Sequence, residues 1–357
     1  MKLLRLATTL NSTSAPYNQF SLGLKKDIDQ TFLSLLKNEI KVDKAISHLS
    51  AEGSIFKMFK LLRNQINSNK YDIIHIHSGI TGLIFLFSIF PFKLFLLKKT
   101  IFTLHNSWHV LKFRNQLLNL LIIFSVKKVC TCGISCKKSL PSIFELLAGK
   151  KIVAVVNGFD NERIDFIENS KTKERHFNSE SKIKIVCVGA LNDTKNQIAI
   201  LEALKKIQMK CEVVFLGDGN RKNSLINFSK NISDKTKIIF RGKVSRKIAI
   251  EHMLEADISI SLSKGEGLPI AVLESMYAGC YNILSSIPPH NEISPPKERC
   301  FFVNVFNKSE VIDSLMHIKE NIDDIKKDRS KSKSYSINNF GLKKMLKEYV
   351  QLYDSIL

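Results

Sequence analysis

Residues 256–280 read ADISISLSKGEGLPIAVLESMYAGC, and three kinds of local structure follow one another within them. Ala256–Leu262 is a short apolar run of the kind that makes a buried strand. Ser263–Gly267 (SKGEG) is a polar loop with two glycines. Pro269 at the first helical position and Gly279 just past the last one bracket a short helix, Ile270–Ala278. A strand that runs through a glycine loop into a helix offers free backbone N–H groups and the positive end of the helix dipole, which favours a phosphate. Glu266 stands in the loop and Glu274 more than one turn inside the helix. The two carboxylates therefore reach different parts of one ligand, and both can accept hydrogen bonds from sugar hydroxyls. Two glutamates eight apart are common by chance; Gly265, Gly267, Pro269 and the preceding strand carry the specificity.

The same strand-then-helix rhythm extends outward in both directions, the mark of parallel βαβ units. On the N-terminal side of the motif, strands are expected at Ile183–Val188, Glu212–Leu216 and Ile238–Phe240. Helices are expected between them at Asn196–Gln208, Arg221–Asn231 and Ser245–Glu255. A further strand, Asn282–Ser285, follows the motif, and helices Lys308–Ile325 and Gly341–Leu357 close the chain. Earlier in the chain the strand candidates are Leu3–Thr8, Ile73–Ile76, Thr100–Leu104, Lys128–Cys132 and Ile152–Val156, with amphipathic segments Ser54–Asn67 and Ser139–Leu147 among them. Asn161–Lys182 (NERIDFIENSKTKERHFNSESK) is polar and charged and reads as a linker. The expectation is an α/β chain of two Rossmann-like, doubly wound parallel sheets, residues 1–160 and 183–340, joined by 161–182.

In open parallel sheets ligands collect at the carboxyl ends of strands. Besides SKGEG, two more strand ends suit an anion. Val188–Lys195 (VGALNDTK) runs into Gly189 and places Lys195 at the next helix, where an ammonium can meet a diphosphate. Leu216–Asn220 (LGDGN) has Gly217 and Gly219 flanking Asp218, which allows a tight turn and is equally compatible with an ordinary one.

Taken together, SKGEGLPIAVLESMYAGC resembles the E-x7-E signature of glycosyltransferase family 4. VGALNDTKNQIAILEAL, VVFLGDGN, IIFRGKV and VVNGFD are similar to that family's other landmarks, in order, over most of 150–286. The resemblance implies a GT-B architecture, two Rossmann-like domains facing a central cleft, with the helix 341–357 returning to the first domain. It implies that Lys195 binds the donor diphosphate, that Glu266 holds hydroxyls of the transferred sugar, and that Glu274 holds the ribose. Amides near Gly267 and Leu268 assist the phosphate, the stretch 241–244 with Gly242 and Val244 borders the base, and Gly189, Gly217 and Gly265 shape the loops. One departure matters: the family places an Arg after the glycine of the first loop, and here that position is Ala190. The resemblance also implies a retaining, metal-independent reaction, no cofactor, and a UDP- or GDP-sugar as donor substrate. No D-x-D pair occurs in the strand-end segments. By this analogy the leaving diphosphate accepts the acceptor's proton, so stabilising that group dominates catalysis.

Acceptor contacts are expected from the first domain. Ile74–Gly79 (IHIHSG) and Thr103–His109 (TLHNSWH) end two strands, and His77, His105 and Asn106 are the candidates. His105 resembles the histidine that the family places near the reacting sugar. His75 and His77 alternate, so one face should hold both. Thr9–Gly23 lacks the family's Gly-Gly pair.

Composition narrows the partners. The net charge is +21, and up to Asp160 there are 22 lysines and arginines against 8 acidic residues, +14 of that total. Such a surface attracts a phosphorylated substrate or an anionic membrane; no nucleic-acid-reading motif accompanies it. Ile80–Leu97 is the most apolar stretch but is broken by Pro91 and Lys93, too short for the ~20 residues of a span. It and Leu117–Val126 are followed by paired lysines. Both stretches suit either buried core helices or helices resting on an anionic bilayer. Seven cysteines without a secretory signal point to reduced thiols, and Cys130, Cys132 and Cys136 read as small buried hydrophobes rather than metal ligands. The expected location is cytoplasmic, peripheral on the inner face of the cell membrane. The expected function is transfer of a sugar to a glycan or isoprenoid-diphosphate-linked acceptor in bacterial surface polysaccharide (O-antigen, capsule or lipopolysaccharide) assembly. A nucleotide-sugar epimerase, a glycan phosphorylase or a non-catalytic partner in a glycan-assembly complex are the competing readings.

Overall fold

The computed structural model describes residues 1–11, 14–37, 39–170, 182–327 and 329–357. The chain divides into two compact units, Met1–Gly158 with Leu342–Leu357, and Phe159–Gly341.

The first unit is built on seven strands: β1 (Lys2–Ala7), β2 (Asp29–Ser34), β3 (Ser47–Ser50), β4 (Ile73–Ile76), β5 (Thr100–Leu104), β6 (Lys128–Thr131) and β7 (Ile152–Ala154). They lie in the order β3-β2-β1-β4-β5-β6-β7, every neighbouring pair parallel. Strands β2 and β3 were not expected. Their sequences, DQTFLS and SHLS, are mostly polar and show neither an apolar run nor a clean alternation. The loop expected after β1 is in part a π-helical turn, Pro16–Ser21, whose Tyr17 and Phe20 are buried. The segment 139–147 opens with Ser139 and Leu140 outside any helix and forms a short helix, Ser142–Ala148, preceded by another at Ile134–Lys138. The last helix, Leu342–Asp354, places Met345, Tyr349, Leu352 and Tyr353 among Leu3, Phe20, Ile73, Ile101 and Cys130, closing the core of this unit. The seven cysteines are buried, and none is in a disulfide.

The second unit has six strands: β8 (Ile183–Val188), β9 (Cys211–Leu216), β10 (Thr236–Gly242), β11 (Ile258–Ser261), β12 (Tyr281–Ser285) and β13 (Cys300–Val303). Their order is β10-β9-β8-β11-β12-β13, again all parallel. Strand β13 and the helices Pro288–Ile293 and Ser330–Phe340 were not foreseen. The stretch expected as a linker starts as a helix, Asn161–Ser170, with Ile164 and Ile167 buried; its remainder, 171–181, lies outside the described residues. In both sheets the chain reverses its order once, between β1 and β4 and between β8 and β11, and open α/β sheets bind ligands at such switch points.

No helix among the described residues is long and apolar enough to cross a membrane. The two apolar stretches do not form an all-round core. In Phe113–Ser125, Asn119, Ile122 and Ile123 are buried, while Phe113, Leu117, Leu121 and Phe124 are exposed, as are Phe87, Phe90, Phe92 and Phe95 nearby in sequence.

Candidate active site

The helix at the heart of the motif runs Ile270–Tyr277. Pro269 stands one position earlier than expected: it is the N-cap, with extended backbone, and its carbonyl accepts from Val272 N at 3.1 Å. At the other end Cys280 N bonds to Ser275 O and Gly279 N to Met276 O, both at 3.0 Å, a Schellman closure with Gly279 at φ +83°. The Gly279 carbonyl then accepts from Arg299 Nη2 at 2.9 Å and Arg329 Nε at 3.0 Å. Two cations thus anchor the negative end of the helix, leaving its N-terminal end at the SKGEG loop.

That loop meets the one after β8 across the switch point. Lys264 N donates to Thr194 O at 2.8 Å, and Lys195 Nζ donates to Glu266 Oε1 at 2.5 Å, both side chains mostly buried. Lys195 and Glu266, 71 residues apart, are therefore one charged pair at the mouth of the β8 and β11 strand ends. Gly189, Gly217 and Gly242 lie in stacked turns beside it. Gly189 N donates to Leu216 O at 2.9 Å and Gly217 N to Gly242 O at 2.8 Å. Gly217 has φ +147°, and a Cβ there would lie 1.9 Å from the carbonyl oxygen of Gly189. Only glycine fits. Ala190 is exposed at this rim and Val244 half-buried, while Gly265 and Gly267 within the SKGEG loop and Leu268 after it are buried.

Glu274 is set apart from the Lys195–Glu266 pair. It is buried and takes Arg246 Nε on Oε1 at 2.8 Å, with Arg246 Nη2 on the same oxygen. Arg246, the first residue of its helix, was not anticipated, because one arginine in a lysine-rich chain carries no signal. His290 was missed as well. It is fully buried, and its Nδ1 lies 3.0 Å from the Ser285 carbonyl, so that nitrogen carries the proton and donates. Burial holds its pKa down to about 4; Glu266 opposes that shift and Lys195 adds to it.

The first unit carries its own cavity at the β1–β4 switch point, about 620 Å³, lined by Thr8, His77, Ser78, His105, Asn106 and Arg114 among others. His77 Nδ1 and His105 Nε2 are 3.2 Å apart, and their rings stack at a centroid distance of 5.4 Å. His105 is half-buried and Asn106 exposed. His75 shares the face of His77, ring centroids 4.0 Å apart, but is sealed off from solvent against Thr103 and Tyr353. Burial holds His105 down to about 4 and His77 well below its ordinary value.

Residues 168–339 match the family model of the glycosyl transferases group 1. Over that span the chain is similar to the group 1 glycosyl transferases. This glycosyltransferase is 26% identical to the UDP-Gal:alpha-D-GlcNAc-diphosphoundecaprenol alpha-1,3-galactosyltransferase of Escherichia coli, over 86% of the present chain and 80% of the relative. It is 27% identical to the capsular polysaccharide biosynthesis glycosyltransferase CapH of Staphylococcus aureus, over 67% and 65% of the two chains. Its fold is that of Anabaena Alr3699/HepE, solved in complex with UDP and glucose: the TM-score is 0.78 at 12% identity, covering 99% of this glycosyltransferase and all of that chain.

Proposed function

We propose that this glycosyltransferase is a retaining, metal-independent enzyme of family 4. It moves a sugar from a UDP- or GDP-sugar to a lipid-linked glycan acceptor during assembly of a bacterial surface polysaccharide, working from the inner face of the membrane. The observation that carries this reading is the Lys195–Glu266 pair at the switch point of the second sheet. A diphosphate entering beside the stacked glycine turns takes the ammonium, and sugar hydroxyls take the carboxylate. Lys195 and the loop amides then neutralise the leaving diphosphate as the glycosidic bond breaks, the largest single contribution expected for such a transfer. With Ala190 supplying no cation, that work concentrates on Lys195. Glu274, already held by Arg246, presents its remaining oxygen to the ribose. His77, His105 and Asn106 line the cavity of the first unit for the acceptor and the transferred sugar, and no cofactor is required. The acceptor class follows from likeness to a relative named for a diphosphoundecaprenol-linked substrate.

The experiment is transfer from a panel of UDP- and GDP-sugars to isoprenoid-diphosphate-linked acceptors, with the anomeric configuration of the product read by NMR. Glu266→Ala and Lys195→Ala should each lower kcat/KM by roughly 100-fold or more. An inverted product, a requirement for added divalent metal, or full activity in both variants would defeat the reading.

A further inference from the structure

Arg5 sits in the middle of β1 with no exposed surface. An all-parallel sheet covered on both faces takes aliphatic side chains at such positions, and a buried cation without an opposite charge is costly. No carboxylate is among its hydrogen-bond or ion-pair partners in the described residues. Nε donates to Gln30 Oε1 at 2.9 Å, the guanidinium stands 5.6 Å from the Phe20 ring centroid, and Nη2 has no hydrogen-bond partner there. Nη1 faces two imidazoles, His75 Nδ1 at 3.1 Å and His77 Nε2 at 3.3 Å.

This arrangement assigns protons. A guanidinium has only donors and does not deprotonate in proteins, so each ring nitrogen facing Nη1 must be bare. The single proton of neutral His77 is then on Nδ1, which faces His105 Nε2 at 3.2 Å. His77 donates, His105 Nε2 accepts, and the proton of His105 is left on Nδ1. The rings stay neutral: burial is the main cause for all three, and the charge of Arg5 adds to it for His75 and His77. The other titratable groups of the cluster are Tyr349 and Tyr353 of the last helix and Cys130 of β6, all kept protonated by burial. Arg114 lines the same cavity as His105.

We propose that Arg5 is a positioning residue: by donating to His77 it fixes His77 and His105 in their Nδ1–H forms, so that His105 meets its ligand as a hydrogen-bond donor and not as a base. The ligand's identity rests on the function proposed above; the proton arrangement does not. It is a tautomer that a free histidine side chain disfavours, which makes it readable.

The test is long-range 1H–15N spectroscopy of the full chain labelled at histidine, near neutral pH, with signals assigned by their loss in His77→Gln and His105→Gln. Both rings should show a bare Nε2. In Arg5→Met, His105 should shift towards the Nε2–H form, while Arg5→Lys, which keeps a donor, should hold the wild-type pattern. In a transfer assay Arg5→Met should lower kcat roughly tenfold with donor KM nearly unchanged, and Arg5→Lys should recover most of it. A protonated Nε2 on His77 or His105 of the wild-type chain overturns the proposal, as does a folded Arg5→Met with unchanged tautomers. If Arg5→Met does not fold, the wild-type spectrum still decides. Correct tautomers without transfer from any donor would leave the relay standing and remove the proposed reaction.

Discussion

Glu274 is buried and both of its recorded hydrogen bonds come from Arg246, which makes that pair a sensitive point of the second unit. Removing only the cation strands a carboxylate away from water, a loss of about 3–5 kcal/mol. Arg246→Ala should therefore lower Tm steeply, and adding Glu274→Gln should restore part of the loss. A double variant no better than the single would show that the charge is not the cause. His290 sets a pH limit at the same scale. Unfolded, it titrates near 6.5; folded, burial holds it at about 4. Between those values the unfolded chain binds a proton that the folded chain refuses. Its contribution is thus intact above pH 6.5 and declines as pH falls towards 4, by about 3 kcal/mol. Melting curves of His290→Asn, whose amide can still donate to the Ser285 carbonyl, should lose less stability over that range than wild type. Parallel curves would rule the imidazole out as the cause.

At the scale of elements, the loops after β8, β9 and β10 depend on a backbone stack more than on side chains. Gly217 N holds Gly242 O, and the Gly217 Cα leaves no room for a Cβ against Gly189 O. Gly217→Ala should strain or open the turns after β8, β9 and β10 at once, a cost of about 3 kcal/mol. Affinity for UDP measured calorimetrically should fall at least tenfold, while the circular dichroism of the folded chain stays near wild type. Unchanged affinity would mean that the turns do not shape the site. The element boundaries were legible where patterning was strong. β4, β5 and β8 run over the expected residues, and the motif helix begins at Ile270. β2 and β3 were not: both are mostly polar, and DQTFLS buries Gln30 and Ser34 through contacts that no local pattern announces, such as Gln30 accepting from Arg5.

Across the whole molecule, charge and apolar surface coincide in the first unit. Phe92, 84% exposed, and Phe95 follow the helix Gly79–Ile89, and Leu146, 81% exposed, stands on Ser142–Ala148; Lys98, Lys99, Lys127 and Lys128 lie close by in sequence. Apolar side chains with flanking cations suit an anionic bilayer surface. Flotation with anionic phospholipid vesicles should recover the protein, less so at high salt. Phe92→Ser with Phe95→Ser should weaken binding roughly tenfold or more. Equal recovery on neutral vesicles, or none on either, would remove the membrane from the proposed function.

The sequence by itself determined the two alternating α/β patterns and the glycine-proline grammar of 256–280, because strand burial, turn φ values and helix termini are set by residues close together in the chain. It also singled out Lys195 and Glu266, each at a strand end. What only the tertiary structure decided was which groups meet: Lys195 with Glu266, Glu274 with Arg246, and Arg5 with His75 and His77. Those pairings depend on strand order, which brings β8 beside β11 and β1 beside β4. Hydrogen bonds between residues 28 to 72 positions apart leave no trace in local periodicity, and the role of Arg5 shows only where the fold places two imidazoles against it.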